Sequence, residues 1–256
     1  MTPCNSARPS GGDLFISASD TTPGALRRWL RAFLPEPARE AYRRLRDRVQ
    51  RARYDPQRFW TRFGRTYIRK FPPGGERGEK LIIGTIRELE ARSVLDIGCG
   101  YGRYLRAIAA EMRLDRLAGA DISPTQIEEA RKYCKDFPQI ELAVSPATRL
   151  PFADAGFDLA LTYGLMIHLR PREVEQFLAE ARRVCRRWGV FLESSNNPER
   201  PHLNPPYYFA HEYDRVFAKM GMPVVKRIQV HEQTREYLYV VKLAPQPEYA
   251  PRSMSL

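Results

Sequence analysis

The sequence predicts an α/β protein built on a doubly wound, mostly parallel sheet. Three observations predict it. From Gly78 onward, short apolar runs alternate regularly with stretches of helical period. The run Ser93 to Ile97 carries an acid near its end and is followed by Gly98, Gly100 and Gly102 before a helical pattern resumes. Further on, Ser123-Pro124-Thr125-Gln126 is a well-formed helix start, with Ser at N-cap, Pro at N1 and Gln at N3.

Residues 1–24 are rich in Ser, Thr, Pro and Gly, and we expect a disordered tail. Residues 25–75 read as a basic, amphipathic helical extension. Leu26, Trp29, Leu30, Phe33 and Leu34 form an apolar stripe that Pro35 and Pro37 break. A second stripe runs through Ala38, Ala41, Tyr42, Leu45, Val49 and Ala52 and ends at Asp55-Pro56. Arginines lie beside both. Such faces pack on the domain, pack on a partner chain, or lie on a membrane surface. The aromatic segment Phe59 to Tyr67 follows.

The main domain is expected over 76–243. The pattern predicts helices at 76–90, 102–112, 124–136, 171–184 and 209–220. It predicts strands at 93–97, 116–121, 140–144, 157–162, 187–193, 223–231 and 236–243, seven in all. Residues 244–256 read as a flexible tail.

Hydrophobic residues make up 43% of the 256, enough for one sizeable core and an appendage. Cys4, Cys99, Cys134 and Cys185 are scattered with no C-x-x-C pair, which argues against a disulfide framework or a metal site. A reducing, cytoplasmic setting is the expectation. No apolar run approaches the ~20 residues of a membrane-spanning helix, and the N-terminus lacks a signal-peptide pattern. The net charge of +12 is uneven. Residues 1–80 hold 18 Lys/Arg against 8 Asp/Glu, and residues 81–256 hold 24 against 22. A basic segment beside a near-neutral domain favours phosphates, anionic lipid or acidic substrates, so peripheral membrane contact through residues 25–55 is one expectation.

The G-x-G-x-G spacing is neither the dinucleotide fingerprint, which needs its third glycine at Arg103, nor a P-loop, which needs Gly-Lys-Ser/Thr. The stretch Val94 to Gly102 resembles motif I of the Rossmann-like methyltransferases that use S-adenosylmethionine (SAM). Further landmarks follow in family order: Ala120-Asp121-Ile122-Ser123, Leu150-Pro151-Phe152, Phe157-Asp158-Leu159, and Gly189 to Glu193. The resemblance implies SAM as cofactor and an antiparallel hairpin closing the sheet.

It also implies roles. Asp96 holds the methionine amino end, and the main chain at Gly98, Cys99 and Gly100 approaches the methionyl and ribose parts. Gly102 lets the next helix sit close. Asp121 accepts from the ribose hydroxyls, as in dinucleotide folds, and Ile122 lies on the adenine face. In related enzymes a segment before the core covers the cofactor; Arg62 or Tyr67 would do so here. Where the family often carries an acid for the adenine amino group, this chain has Pro146. The Ala147 amide, with an oxygen from Ser145 or Thr148, is the expected substitute. Tyr163 is expected at the methionyl end.

Methyl transfer from a sulfonium is an in-line displacement that needs alignment and exclusion of water. A hydroxyl acceptor also needs a base. His168, Glu193 and His211 are the candidates, at or after the carboxyl ends of the later strands. The long loop from Ser194 to Ala210 is expected to shape the acceptor pocket. Its Asn204-Pro205-Pro206-Tyr207 looks like the N-P-P-Y motif of base- and glutamine-modifying methyltransferases but lies a strand too late, and we read it as coincidence. The stretch Phe157 to Asn197 resembles enzymes of bacterial sugar and surface-glycan pathways, implying a hydroxyl, amine or carboxyl on a small-molecule, sugar or glycan acceptor. The competing readings are an RNA or DNA methyltransferase using the basic helices and a non-catalytic cofactor-binding module.

Overall fold

The computed structural model describes residues 35–70, 77–194, 207–209, 211–230 and 235–243, with residues 65 and 67–70 as backbone only. The expected tails, the first apolar stripe and the N-P-P motif lie outside the described residues. The chain divides into two compact units, residues 1–53 and 54–256. Residues 54–70 thus fall with the main unit, whereas the sequence reading grouped them with the extension.

In the first unit, helix α1 spans Glu36–Ala52. Pro37 stands at its start, Glu36 in its first turn and Arg51 in its last, each the residue type that helix end favours.

The second unit opens with α2 (Pro56–Lys70) and α3 (Arg77–Glu88). The alternation then runs β1 (Ser93–Ile97), α4 (Arg103–Glu111), β2 (Arg116–Asp121), α5 (Pro124–Tyr133), β3 (Glu141–Val144), β4 (Phe157–Tyr163), a 3₁₀ turn (Met166–His168), α6 (Pro171–Val184) and β5 (Cys185–Ser194). It closes with α7 (Tyr213–Lys219), β6 (Val224–Gln229) and β7 (Glu236–Lys242). The sheet order is β3-β2-β1-β4-β5-β7-β6. The first five strands are parallel, and β7 runs antiparallel between β5 and β6.

Side chains alternate across the strands and feed two cores. Leu95, Ile97 and Phe191 meet Phe177 and Leu178 of α6 and Phe217 of α7 on one face. Val94, Leu159 and Val190 meet Ile82 and Ile86 of α3, Leu105 and Ile108 of α4 and Ile127 of α5 on the other. Two helices end differently from expectation. α5 stops at Tyr133, where Cys134 closes the last turn onto the Ala130 carbonyl. α7 starts at Tyr213, not at 209, because the Phe209 amide is taken by the Ile167 carbonyl at 2.7 Å.

Candidate functional site

Strand order reverses between β1 and β4, and the parallel strands leave a crevice at their carboxyl ends there. The chain leaving β1 is pinned across that edge. The Gly98 and Cys99 amides donate to the Ala120 carbonyl at 2.7 and 3.1 Å. Gly98 has φ +78° and Gly100 φ +54°, a region that side chains disfavour. A Cβ on Gly98 would also stand 3.0 Å from Leu165 Cδ1. Glycine here makes the bend and keeps main chain open to a ligand.

Two carboxylates sit at this bend. Asp121 accepts from the Gly100 amide at 3.0 Å and the Ser123 amide at 2.8 Å. Burial raises its pKa to about 6 against those two bonds. Asp96 is 1% exposed, and its Oδ2 has no hydrogen-bond partner among the described residues. Burial first, and the charge of Asp121 second, push its pKa up to about 8. A buried acid without a donor is costly, and a bound cation or donor relieves the cost.

The adjoining cleft holds about 870 Å³ of space, part of it open to solvent. Of the residues singled out in the sequence, Gly98, Gly100, Asp121, Ile122, Ser145, Pro146, Ala147, Thr148, Tyr163 and His168 line it. Asp96, Cys99 and Gly102 are not in its lining. Cys99 is buried under the bend, with its thiol pushed well above the usual range by burial. Gly102 serves packing: a Cβ there would meet Cys134 Sγ at 2.8 Å.

Two acceptor-side expectations are corrected. Glu193 is fully buried and faces the protein. Its Oε1 accepts from Thr162 Oγ1 at 2.9 Å and the Leu165 amide at 3.0 Å, and its Oε2 from the Met166 amide at 3.1 Å. Both oxygens are committed to the turn after β4, while burial raises the pKa to about 7. His211 likewise lies outside the cleft, with Nε2 on the Leu169 carbonyl at 2.9 Å. His168 remains at the cleft. Its Nδ1 lies 3.0 Å from the Tyr207 carbonyl, which can only accept, so Nδ1 carries the proton and Nε2 the lone pair. Burial lowers its pKa to about 4, keeping the ring neutral.

Sequence reasoning missed several lining residues. Tyr54, Pro56 and Trp60 line the cleft, together with Leu165 and Leu169. Trp60 meets the His168 ring edge-on at 4.7 Å, and its Nε1 donates to Tyr54 Oη at 3.1 Å. Arg62 is exposed and outside the lining, and the Tyr67 side chain is outside the described residues. The aromatic run was visible; which of its members faced inward was not. Gln126 was read as a capping residue. Its amide does donate to Ser123 Oγ at 3.2 Å, but its side chain turns to the cleft. α2 crosses α5 closely at Gly64, where a Cβ would stand 3.0 Å from Gln126 Cγ.

SAM fits these residues. Besides Asp96 Oδ2, the lining atoms Gln126 Oε1 and Ser145 Oγ are buried without partners among the described residues. A cationic nucleoside bearing hydroxyls and an amino group supplies the donors they lack.

Residues 94–189 match the family model described as a methyltransferase domain. A fatty-acid O-methyltransferase of Mycolicibacterium smegmatis is 32% identical over 111 residues, 43% of this chain and 39% of that protein. A demethylmenaquinone methyltransferase of Tropheryma whipplei is 29% identical over 146 residues, 57% of this chain and 56% of that protein. The chain thus spans less than two thirds of the length of these curated relatives. In fold it is similar to the magnesium protoporphyrin IX methyltransferase of Synechocystis PCC 6803 solved with bound SAH (S-adenosylhomocysteine): TM-score 0.60, 15% identity, 72% of this chain and 97% of that one. The family match runs from β1 into β5, the stretch that carries the bend and both carboxylates, so it is this part of the chain that is similar to the methyltransferase domain family.

Proposed function

We propose that the chain transfers a methyl group from SAM to a hydroxyl, amine or carboxyl of a small-molecule acceptor. The observation that carries this reading is the glycine bend with two buried carboxylates, one of which has an oxygen, Asp96 Oδ2, with no hydrogen-bond partner among the described residues. When bound, SAM supplies an electrophilic methyl on a positively charged sulfur. Asp96 is suited to its ammonium group and Asp121 to its ribose hydroxyls. Gln126 and Ser145 are suited to its adenine edge, where Pro146 offers no carboxylate.

Catalysis would then rest on alignment. Glu193 fixes the turn that carries Leu165 and Met166, and so sets where the cleft wall stands. Tyr54, Trp60, Leu165 and Leu169 give the acceptor an apolar, aromatic seat and shed water from it. His168 lines the cleft with its lone pair on Nε2 and is suited to take the proton of an acceptor hydroxyl as the oxygen–methyl bond forms and the sulfur–methyl bond breaks. The aromatic wall supports acceptors with an apolar or ring face. Sugar rings belong to that class, and relatives named for a fatty acid and for demethylmenaquinone also support small-molecule acceptors.

The test has two stages. Calorimetry with SAM, SAH and NAD should show binding of the first two alone; binding of NAD without SAM would overturn the family chemistry here. A screen for radiolabelled methyl transfer over sugars, fatty acids, quinols and RNA should then find a small-molecule product. Transfer to RNA alone would favour a nucleic-acid substrate, and no transfer at all a binding module.

A further inference from the structure

Helix α1 is sorted by charge around its circumference. At about 100° per residue, Ala38, Ala41, Tyr42, Leu45, Val49 and Ala52 share an arc of roughly 100°. Arg46 and Arg39 flank one side of that arc and Arg48 and Arg44 the other, while Arg43 and Arg51 lie nearer the opposite pole. Glu36, Glu40 and Asp47 cluster within about 40° of the opposite pole. Residues 35–53 hold seven arginines and three acids. Glu36 pairs with Arg39 and Arg43, Glu40 with Arg44 and Asp47 with Arg46, so the acids are neutralised at the back and the excess charge is positive.

The exposure of the helix is the reverse of a core-packing one. Leu45 is 62% and Val49 41% exposed, two of the four exposed large apolar side chains among the described residues, and they stand one turn apart. The buried side chain of the helix is an acid, Asp47 at 9%. Among the described residues no helix is long and apolar enough to cross a membrane. An apolar strip between two arginine rows matches a surface whose outer layer is anionic and whose next layer is hydrocarbon.

We propose that α1 docks flat on an anionic lipid surface, with Leu45 and Val49 inserted below the headgroups and the two arginine rows at phosphate level. A protein partner would be served by the apolar strip alone, and nucleic acid by the arginines alone; the alternation of both around one axis favours lipid. The inference stands apart from the methyl-transfer reading, and SAH binding tells the two failures apart.

The full chain is sedimented with vesicles of phosphatidylcholine alone or mixed with phosphatidylglycerol. Binding is expected only to the anionic vesicles and should weaken as salt rises. Leu45→Ala with Val49→Ala keeps helix propensity and should weaken the binding by at least about tenfold. Arg48→Gln should weaken it about fivefold. SAH affinity should stay unchanged in every variant, which reports the 54–256 unit, and helicity by circular dichroism matching wild type reports that α1 stays folded. Four results overturn the proposal: no binding to anionic vesicles, equal binding to neutral ones, an alanine pair as tight as wild type, or a dimer in solution that the alanine pair dissociates. Tighter binding to an RNA duplex than to vesicles, lost with Arg48→Gln but not with the alanine pair, would assign the helix to nucleic acid instead.

Discussion

Asp96 keeps a proton that an exposed aspartate would have lost, because its buried carboxyl titrates near pH 8 while an unfolded one titrates near 4. The folded, ligand-free protein therefore binds more protons than the unfolded chain between those limits. The stabilising contribution is whole below about pH 4 and is lost as pH rises toward 8. A bound ammonium favours the ionised acid, so SAM or SAH binding should expel up to about one proton between pH 6 and 7.5. Calorimetry in buffers of different ionisation enthalpy reads this directly. Asp96→Asn should abolish the release, and a buffer-independent enthalpy in the wild type would contradict the assignment. Gln126 and Ser145, both in the cleft lining, make a second residue-level expectation. Wild type should bind SAH more tightly than S-inosylhomocysteine, which lacks the adenine amino group. Ser145→Ala or Gln126→Ala should narrow that gap by about 3- to 10-fold, the worth of one neutral hydrogen bond. An undiminished gap in both variants would place adenine elsewhere.

At the level of elements, helix α4 lies close over β2 because position 119 has no side chain. A Cβ there would stand 2.5 Å from Leu105 Cδ1 and 2.9 Å from Cys99 Sγ. Gly119→Ala should cost about 1–3 kcal/mol in urea unfolding, with weaker SAH binding because Cys99 belongs to the bend; an unchanged midpoint would show that the helix moves aside freely. Elements of this kind were largely legible in the sequence. Strands buried on both faces read as short apolar runs, and the bend declared itself because positive φ selects glycine at fixed spacing. Asp121 followed from its place at the end of β2. Glu193 and His211 misled for the opposite reason. An acid or imidazole near the end of a strand looks available until its partners are known, and those partners are amides and carbonyls far along the chain. That Tyr54, Trp60 and Gln126 line the cleft was not legible, because their inward aim depends on how α2 crosses α5 at Gly64, which no local pattern records.

For the molecule as a whole, the division at Arg53 gives a direct expectation. A protein lacking residues 1–53 should keep the melting temperature of the 54–256 unit and bind SAH within about twofold of the full chain, since the cleft is built from Tyr54 onward. A collapse of either, measured by calorimetry, would make the first unit part of the folding core. The order of the sheet has one more outcome. β6 precedes β7 in the chain but reaches the sheet only through it, because β7 fills the slot beside β5. A polypeptide emerging from the ribosome up to residue 229 carries a strand with no seat. Only when residues 236–242 follow can the edge be finished, so a nascent chain halted between those points should be the species that proteases and chaperones recognise.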